Sequence, residues 1–166
     1  MATITFLGKP VNTCGDLPAV GSQAPDFSLT SGKLTDVTLA KYSSKKKILN
    51  IVPSLDTPTC ALSTRKFNEK AAGLDNTVVL IISADLPFAQ GRFCEAEGLS
   101  DVIPLSTFRS DFAETYGVEI TDGALAGLTA RAIVVLDQND KVIYTQLVAD
   151  VADEPDYESA LFALQV

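Results

Sequence analysis

The residues best placed to do chemistry lie together in Pro53-Ser54-Leu55-Asp56-Thr57-Pro58-Thr59-Cys60, between an apolar run and a segment with helical spacing. Asp56 or Thr57 can cap that helix. Pro58 suits its first position, because the missing N–H would lack a partner there in any case. Cys60 then falls in the first turn, facing unsatisfied N–H groups and the positive end of the helix dipole. Such a setting favours the thiolate, the nucleophilic form of cysteine, without a neighbouring base. Thr57 is spaced to bring its hydroxyl alongside the sulfur, where it could orient a small oxygen-containing substrate. A plainer role stays open at this point, in which Cys60 is a small buried apolar residue of an amphipathic helix.

The remaining composition narrows the choice. The 166 residues include no His, so Ser–His–Asp and Cys–His pairs and any His-ligated metal are excluded. Carboxylate, phosphoryl-transfer and thiol chemistry survive. Lys and Arg number 13 against 21 Asp and Glu, a net charge of −8, which argues against nucleic acid and against an anionic membrane surface. Gly123 and Gly127 do not form a phosphate cradle. The cysteines, Cys14, Cys60 and Cys94, are too few and too scattered for a secreted disulfide scaffold, and they lack the paired short spacing of a zinc site. Residues 1–6 show no signal-like pattern, and nowhere do ~18 apolar residues run together. The chain is therefore expected to be soluble and cytoplasmic, with a periplasmic address left open. At 46% hydrophobic it can bury one core, and residues 1–166 read as a single domain.

Strands alternating with helices must carry these residues. Thr3 to Leu7 reads as an edge strand or hairpin broken by Gly8-Lys9-Pro10. Leu17 to Asp26 should be loop, and Phe27–Thr30 and Val37–Leu39 short strands. Lys45-Lys46-Lys47 reads as a solvated lead-in to a strand over Ile48–Val52, which Pro53 ends. The spacing predicts a helix over 58–72 with Gly73 as its C-cap, and a doubly buried strand over Val78–Ile82. A helix over 87–97 with Gly98 beyond should follow, then a strand over 102–105 and a short helix over 111–116. Residues 121–127 read as loop, 132–136 and 142–147 as a hairpin, and 156–164 as a closing helix. The run Asp150, Asp153, Glu154, Asp156 and Glu158 suits the solvated start of that helix. This order is an α/β sandwich compatible with a thioredoxin-like sheet.

Pro53, Thr57 and Cys60 also stand in the pattern P-x-x-x-T-x-x-C, and here the chain resembles the peroxiredoxins. Ile81-Ile82-Ser83-Ala84-Asp85-Leu86-Pro87-Phe88-Ala89-Gln90 with Arg92-Phe93-Cys94 resembles their thiol peroxidase subfamily, the atypical two-cysteine enzymes. So do Asp75-Asn76-Thr77-Val78-Val79, Leu128-Thr129-Ala130-Arg131-Ala132 and Glu154-Pro155-Asp156-Tyr157-Glu158. The likeness covers nearly the whole chain. It implies a thioredoxin-like (peroxiredoxin) three-layer α/β sandwich with a mixed central sheet and an N-terminal β-hairpin.

The resemblance further implies a role for each matching residue. Cys60 is expected to be the peroxidatic cysteine, attacking the O–O bond of a hydroperoxide and becoming a sulfenic acid. Thr57 would hydrogen-bond the peroxide oxygen and the thiolate, and Pro53 would shield the sulfur from water. Arg131 would stabilise the thiolate and the charge on the departing oxygen. Three cysteines allow three pairs; the family pattern selects Cys60–Cys94, with Cys94 as the resolving residue and Cys14 as a bystander. Thioredoxin is the implied reductant, a homodimer the implied assembly, and no cofactor or metal is implied. Leu55, Phe88, Phe93 and Leu125 are candidates for apolar residues around the site, suiting alkyl or lipid hydroperoxides. Both cysteines sit on helices, so the disulfide is expected to require local unwinding. Other uses of such a fold are a disulfide oxidoreductase, which favours Cys-x-x-Cys where this chain has Thr57-Pro58-Thr59-Cys60, and a silent binding module.

Overall fold

The computed structural model describes residues 1–165; Val166, the last residue of the expected 1–166 domain, lies outside the described residues. The chain opens with the expected hairpin, β1 (Thr3–Phe6) paired antiparallel with β2 (Lys9–Asn12). Its two-residue turn has φ of 51° at Leu7 and 82° at Gly8. Two positive values in succession make the tight turn whose twist matches a hairpin, at some cost for the branched Leu7.

A seven-stranded mixed sheet follows. It comprises β3 (Leu29–Thr30), β4 (Asp36–Val37), β5 (Lys46–Ile51), β6 (Thr77–Ser83), β7 (Ile103–Ser106), β8 (Ala132–Leu136) and β9 (Val142–Leu147), in spatial order β4-β3-β7-β6-β5-β8-β9. Strands β5, β6 and β7 are parallel, and β8 returns antiparallel to β5. The crossovers from β5 to β6 and from β6 to β7 are α1 (Pro58–Ala71) and α2 (Pro87–Glu97). A 3-10 turn over Leu39–Tyr42 precedes β5, and two further helices, α3 (Phe112–Thr115) and α4 (Tyr157–Ala163), follow β7 and β9.

The apolar run in β5 is buried on both sides because alternate residues face opposite layers. Leu49 and Ile51 join Leu80, Ile82, Phe112 and Tyr116 on one face. Ile48 and Val52 join Cys60, Phe67, Val79 and Ile81 on the other, beneath α1 and α4. The three-layer sandwich expected from the sequence is thus the observed fold.

Several local expectations change. Lys47 is not solvated: its side chain is fully buried and its ammonium pairs with Asp140 at the β8–β9 turn. Buried charge is tolerated when partnered, so the strand begins at Lys46 and only the first lysine of the run is exposed. The first helix ends through Ala72 in right-handed geometry, without Gly73 as its cap. The two short strands before β5 shrink to two residues each.

Asp150 belongs to no solvated helix start. Its carboxylate accepts from Thr5 Oγ1 and from the backbone N–H groups of Leu7, Gly8 and Ala152. It thereby holds the strained hairpin turn against the body of the fold.

Candidate active site

The C-terminal end of β5 fixes the position of the reactive loop. Val52 N–H still pairs with Ile82 O of the neighbouring strand. Pro53 then has no N–H to offer a ladder, and the chain turns away. Thr57, with φ −90° and ψ 147°, is the N-cap of α1; exposed Asp56 does not serve. Thr57 Oγ1 accepts from Cys60 N–H at 3.4 Å and donates to Ser54 O at 3.0 Å. One hydroxyl therefore joins the loop to the first helical turn. Pro58 occupies the first turn as expected.

Cys60 is fully buried. Its carbonyl accepts from the hydroxyls of Ser63 and Thr64, both buried in the same helix. Its sulfur meets Arg131, which immediately precedes β8. The antiparallel register places Ala132 opposite Ile51, so Arg131 lies beside the end of β5. Its Nη1 donates to Cys60 Sγ at 3.2 Å and its Nε to Val151 O at 2.9 Å.

Arg131 is 2% exposed. Among the described residues it makes no ion pair with a carboxylate. A buried positive charge without a carboxylate is strongly disfavoured unless another anion faces it. The group it faces is a sulfur that can carry negative charge.

Pro53 is buried. With Thr57, Arg131, Leu125, Leu128 and Val151 it lines a cavity of about 230 Å³, which Phe6 of the hairpin also borders. Its polar side chains are Thr57, Thr59 and Arg131 and the rest of its lining is apolar, so it suits a small ligand with an apolar substituent. Of the apolar residues expected here, only Leu125 lines it. Leu55 and Phe93 pack into the core beneath α1, and Phe88 is exposed on α2 beside Leu86 and Arg92.

Phe6, Leu128 and Val151 escaped the sequence reading. Phe6 and Val151 meet there through the hairpin's docking on Ile120 and Ala130, and no short-range pattern encodes that docking.

Cys94 lies in the third turn of α2 and is buried, and burial pushes its thiol pKa upward. Cys14 is exposed, with its sulfur near the carbonyls of Ala113 and Glu114 beside α3. All three cysteines are free thiols. A surface ion pair of 3.4 Å links Arg65 of α1 to Glu97 of α2, the two cysteine-bearing helices. Among the described residues no cluster of His, Cys, Asp or Glu is arranged to hold a metal ion.

A family model described as Redoxin matches residues 19–161. Proteins called thiol peroxidase from Mycobacterium bovis and Mycobacterium tuberculosis are each 55% identical over 164 residues, covering 99% of both chains. Among solved structures, a peroxiredoxin-like protein from Aquifex aeolicus superposes with a TM-score of 0.94 at 38% identity, covering 99% of this chain and 96% of that one. A thiol peroxidase from Chromobacterium violaceum gives 0.91 at 27% identity, covering 98% and 95%.

Proposed function

The chain belongs to the Redoxin family as a thiol-dependent peroxidase of the peroxiredoxin type, and we propose that Cys60 is the residue that attacks the peroxide. The observation that carries the assignment is the buried Arg131 guanidinium, with Nη1 3.2 Å from Cys60 Sγ and no carboxylate partner among the described residues.

In the proposed first step the Cys60 thiolate attacks the terminal oxygen of ROOH. The S–O bond forms, the O–O bond breaks, and the departing alkoxide takes a proton to leave as alcohol. Arg131 stabilises charge on the sulfur before the step and on the oxygen pair during it. Thr57 orients the peroxide by turning its hydroxyl from Ser54 O toward the bound oxygen. Pro53 excludes water from one side of the sulfur.

In the second step the Cys94 sulfur attacks the Cys60 sulfenic acid. The S–S bond forms, and hydroxide takes up the thiol proton to leave as water. An external dithiol, thioredoxin, then reduces the disulfide by exchange. A disulfide needs Cα atoms within ~7 Å, and Cys60 and Cys94 stand as free thiols on separate helices, in the first turn of α1 and the third turn of α2. We infer that closure proceeds through local unwinding of one or both helices, and the free-thiol structure corresponds to the reduced enzyme.

The reading extends to the molecule's setting. The chain acts as one domain over residues 1–166, as a homodimer, in the cytoplasm, where a reducing dithiol pool supports the cycle. Exposed Leu86 and Phe88 offer an apolar surface to a second copy, and sedimentation would measure that association.

Turnover of cumene hydroperoxide with thioredoxin, thioredoxin reductase and NADPH tests the catalytic assignment. Cys60→Ser should abolish peroxide consumption, and Cys94→Ser should oxidise at Cys60 without sustained turnover. Sustained turnover by Cys60→Ser would overturn it.

A further inference from the structure

The parallel pairing of β5 and β6 brings the ends of both strands together. The loop after β5 leads to Cys60, and the segment after β6 leads to the helix of Cys94. Asp85 stands between them. Its Oδ1 accepts from Ser54 Oγ at 2.7 Å, and its Oδ2 accepts from Leu55 N–H at 2.8 Å and Ser83 Oγ at 2.8 Å. Ser83 Oγ in turn accepts from the buried Gln90 Nε2 at 3.0 Å, within α2. On the other side, Ser54 O accepts from Thr57 Oγ1, which caps Cys60.

One carboxylate therefore joins, through short hydrogen bonds, the cap of the Cys60 helix and the first turns of the Cys94 helix. The three bonds that end on the carboxylate are of the charge-assisted kind, about twice as strong as neutral ones, and neutral bonds carry the links on to Gln90 and Thr57. They connect the two segments that must move apart from their helical geometry for a disulfide to form.

We propose that Asp85 is a positioning residue that latches both helices in the reduced arrangement, so that it speeds peroxide attack and slows disulfide closure. This rests on the reading of Cys94 as the resolving cysteine. The latch holds Thr57 and the first turn of α1 where Cys60 and Arg131 meet. Its release sets how long the sulfenic acid persists before Cys94 reaches it. While it persists, the sulfenate sulfur can attack a second hydroperoxide: a second S–O bond forms, the O–O bond breaks, and the departing alkoxide takes a proton to leave as alcohol, giving sulfinic acid. Asp85 accordingly sets the partition between disulfide and sulfinate.

The test measures the two steps separately in Asp85→Asn, which keeps the shape of the side chain, and in Ser54→Ala, which cuts only the arm to the Cys60 loop. In a Cys94→Ser background, the rate of Cys60 oxidation by cumene hydroperoxide should fall about tenfold in Asp85→Asn. With Cys94 present, disulfide closure should speed up severalfold. The sulfinate fraction at high peroxide, read by intact mass, should fall in both variants. A lowered Tm with both rates and the sulfinate fraction unchanged would overturn the latch and leave Asp85 a purely structural residue. Failure of the unaltered protein to form any Cys60–Cys94 disulfide would instead overturn the resolving role of Cys94 and the closure half of the proposal with it. The oxidation rate in the Cys94→Ser background would still decide the other half.

Discussion

Replacing Arg131 with Met keeps an apolar stem of similar reach and removes both donors, the one to Cys60 Sγ at 3.2 Å and the one to Val151 O at 2.9 Å. The two losses act on different quantities. Leaving Val151 O without its donor lowers stability by about 1–3 kcal/mol, the usual cost of an unpaired buried acceptor. Losing a preorganised donor at a developing charge costs about 10²–10³ in rate, or about 2.7–4 kcal/mol.

Arg131→Met is therefore expected to slow peroxide reduction by roughly 10²–10³. Arg131→Lys retains the charge as a single point, which cannot span both acceptors, and should lose on the order of tenfold. The chain contains no Trp, so competition with a haem peroxidase for limiting peroxide is the suitable rate assay. Circular dichroism and a melting curve establish that each variant is folded. A folded Arg131→Met enzyme within about twofold of the unaltered rate would refute the argument that the guanidinium acts on the sulfur.

Thr57→Val removes the acceptor for Cys60 N–H and the donor to Ser54 O; it should cost about 1 kcal/mol of stability by chemical denaturation and slow peroxide attack, with Thr57→Ser restoring both. Asp140→Asn removes the counter-charge of the fully buried Lys47 ammonium, leaving it neutral acceptors such as Lys45 O, and should lower stability by about 3–5 kcal/mol, a fall in Tm of roughly 10 °C for a chain of this size; adding Lys47→Met should recover most of it. Hydrogen bonds from Thr5, Ala152, Gly8 and Leu7 hold the Asp150 carboxyl down at about 2, below the ordinary 3.8. A carboxyl depressed in the folded state stabilises fully above its unfolded pKa and ceases to do so as the pH falls through its folded value. Hairpin anchoring should accordingly weaken between about pH 4 and pH 2, and an acid titration followed by hydrogen exchange at Ile4 and Phe6 should lose that transition in Asp150→Asn.

The chemistry was legible in the sequence because it is local. A proline, a cap and a cysteine at the start of one helix are set by spacing, and the Thr57 cap, the Pro58 start and the Gly98 stop of α2 all follow from short-range rules. Arg131 required the family resemblance, since nothing at its own position shows that an antiparallel partner will carry it to Cys60. Lys47 misled for the same reason: a run of three lysines reads as solvated until the β8–β9 turn supplies Asp140. Phe6, Asp150 and Val151 meet through contacts across most of the chain's length, and only the docked hairpin reveals them as parts of the cavity wall and its support. Asp85 was visible within a matching segment, yet its partners Ser54 and Leu55 appear only when two parallel strands end side by side.

The central claim is that Cys60 takes the peroxide oxygen and Cys94 closes the disulfide. Its most direct test adds one equivalent of cumene hydroperoxide to the fully reduced protein, counts the free thiols and maps any disulfide by peptide mass. Two of the three thiols should disappear into a Cys60–Cys94 peptide, with Cys14 still titratable. Survival of all three with Cys60 unoxidised, or a bridge that includes Cys14, would contradict the account.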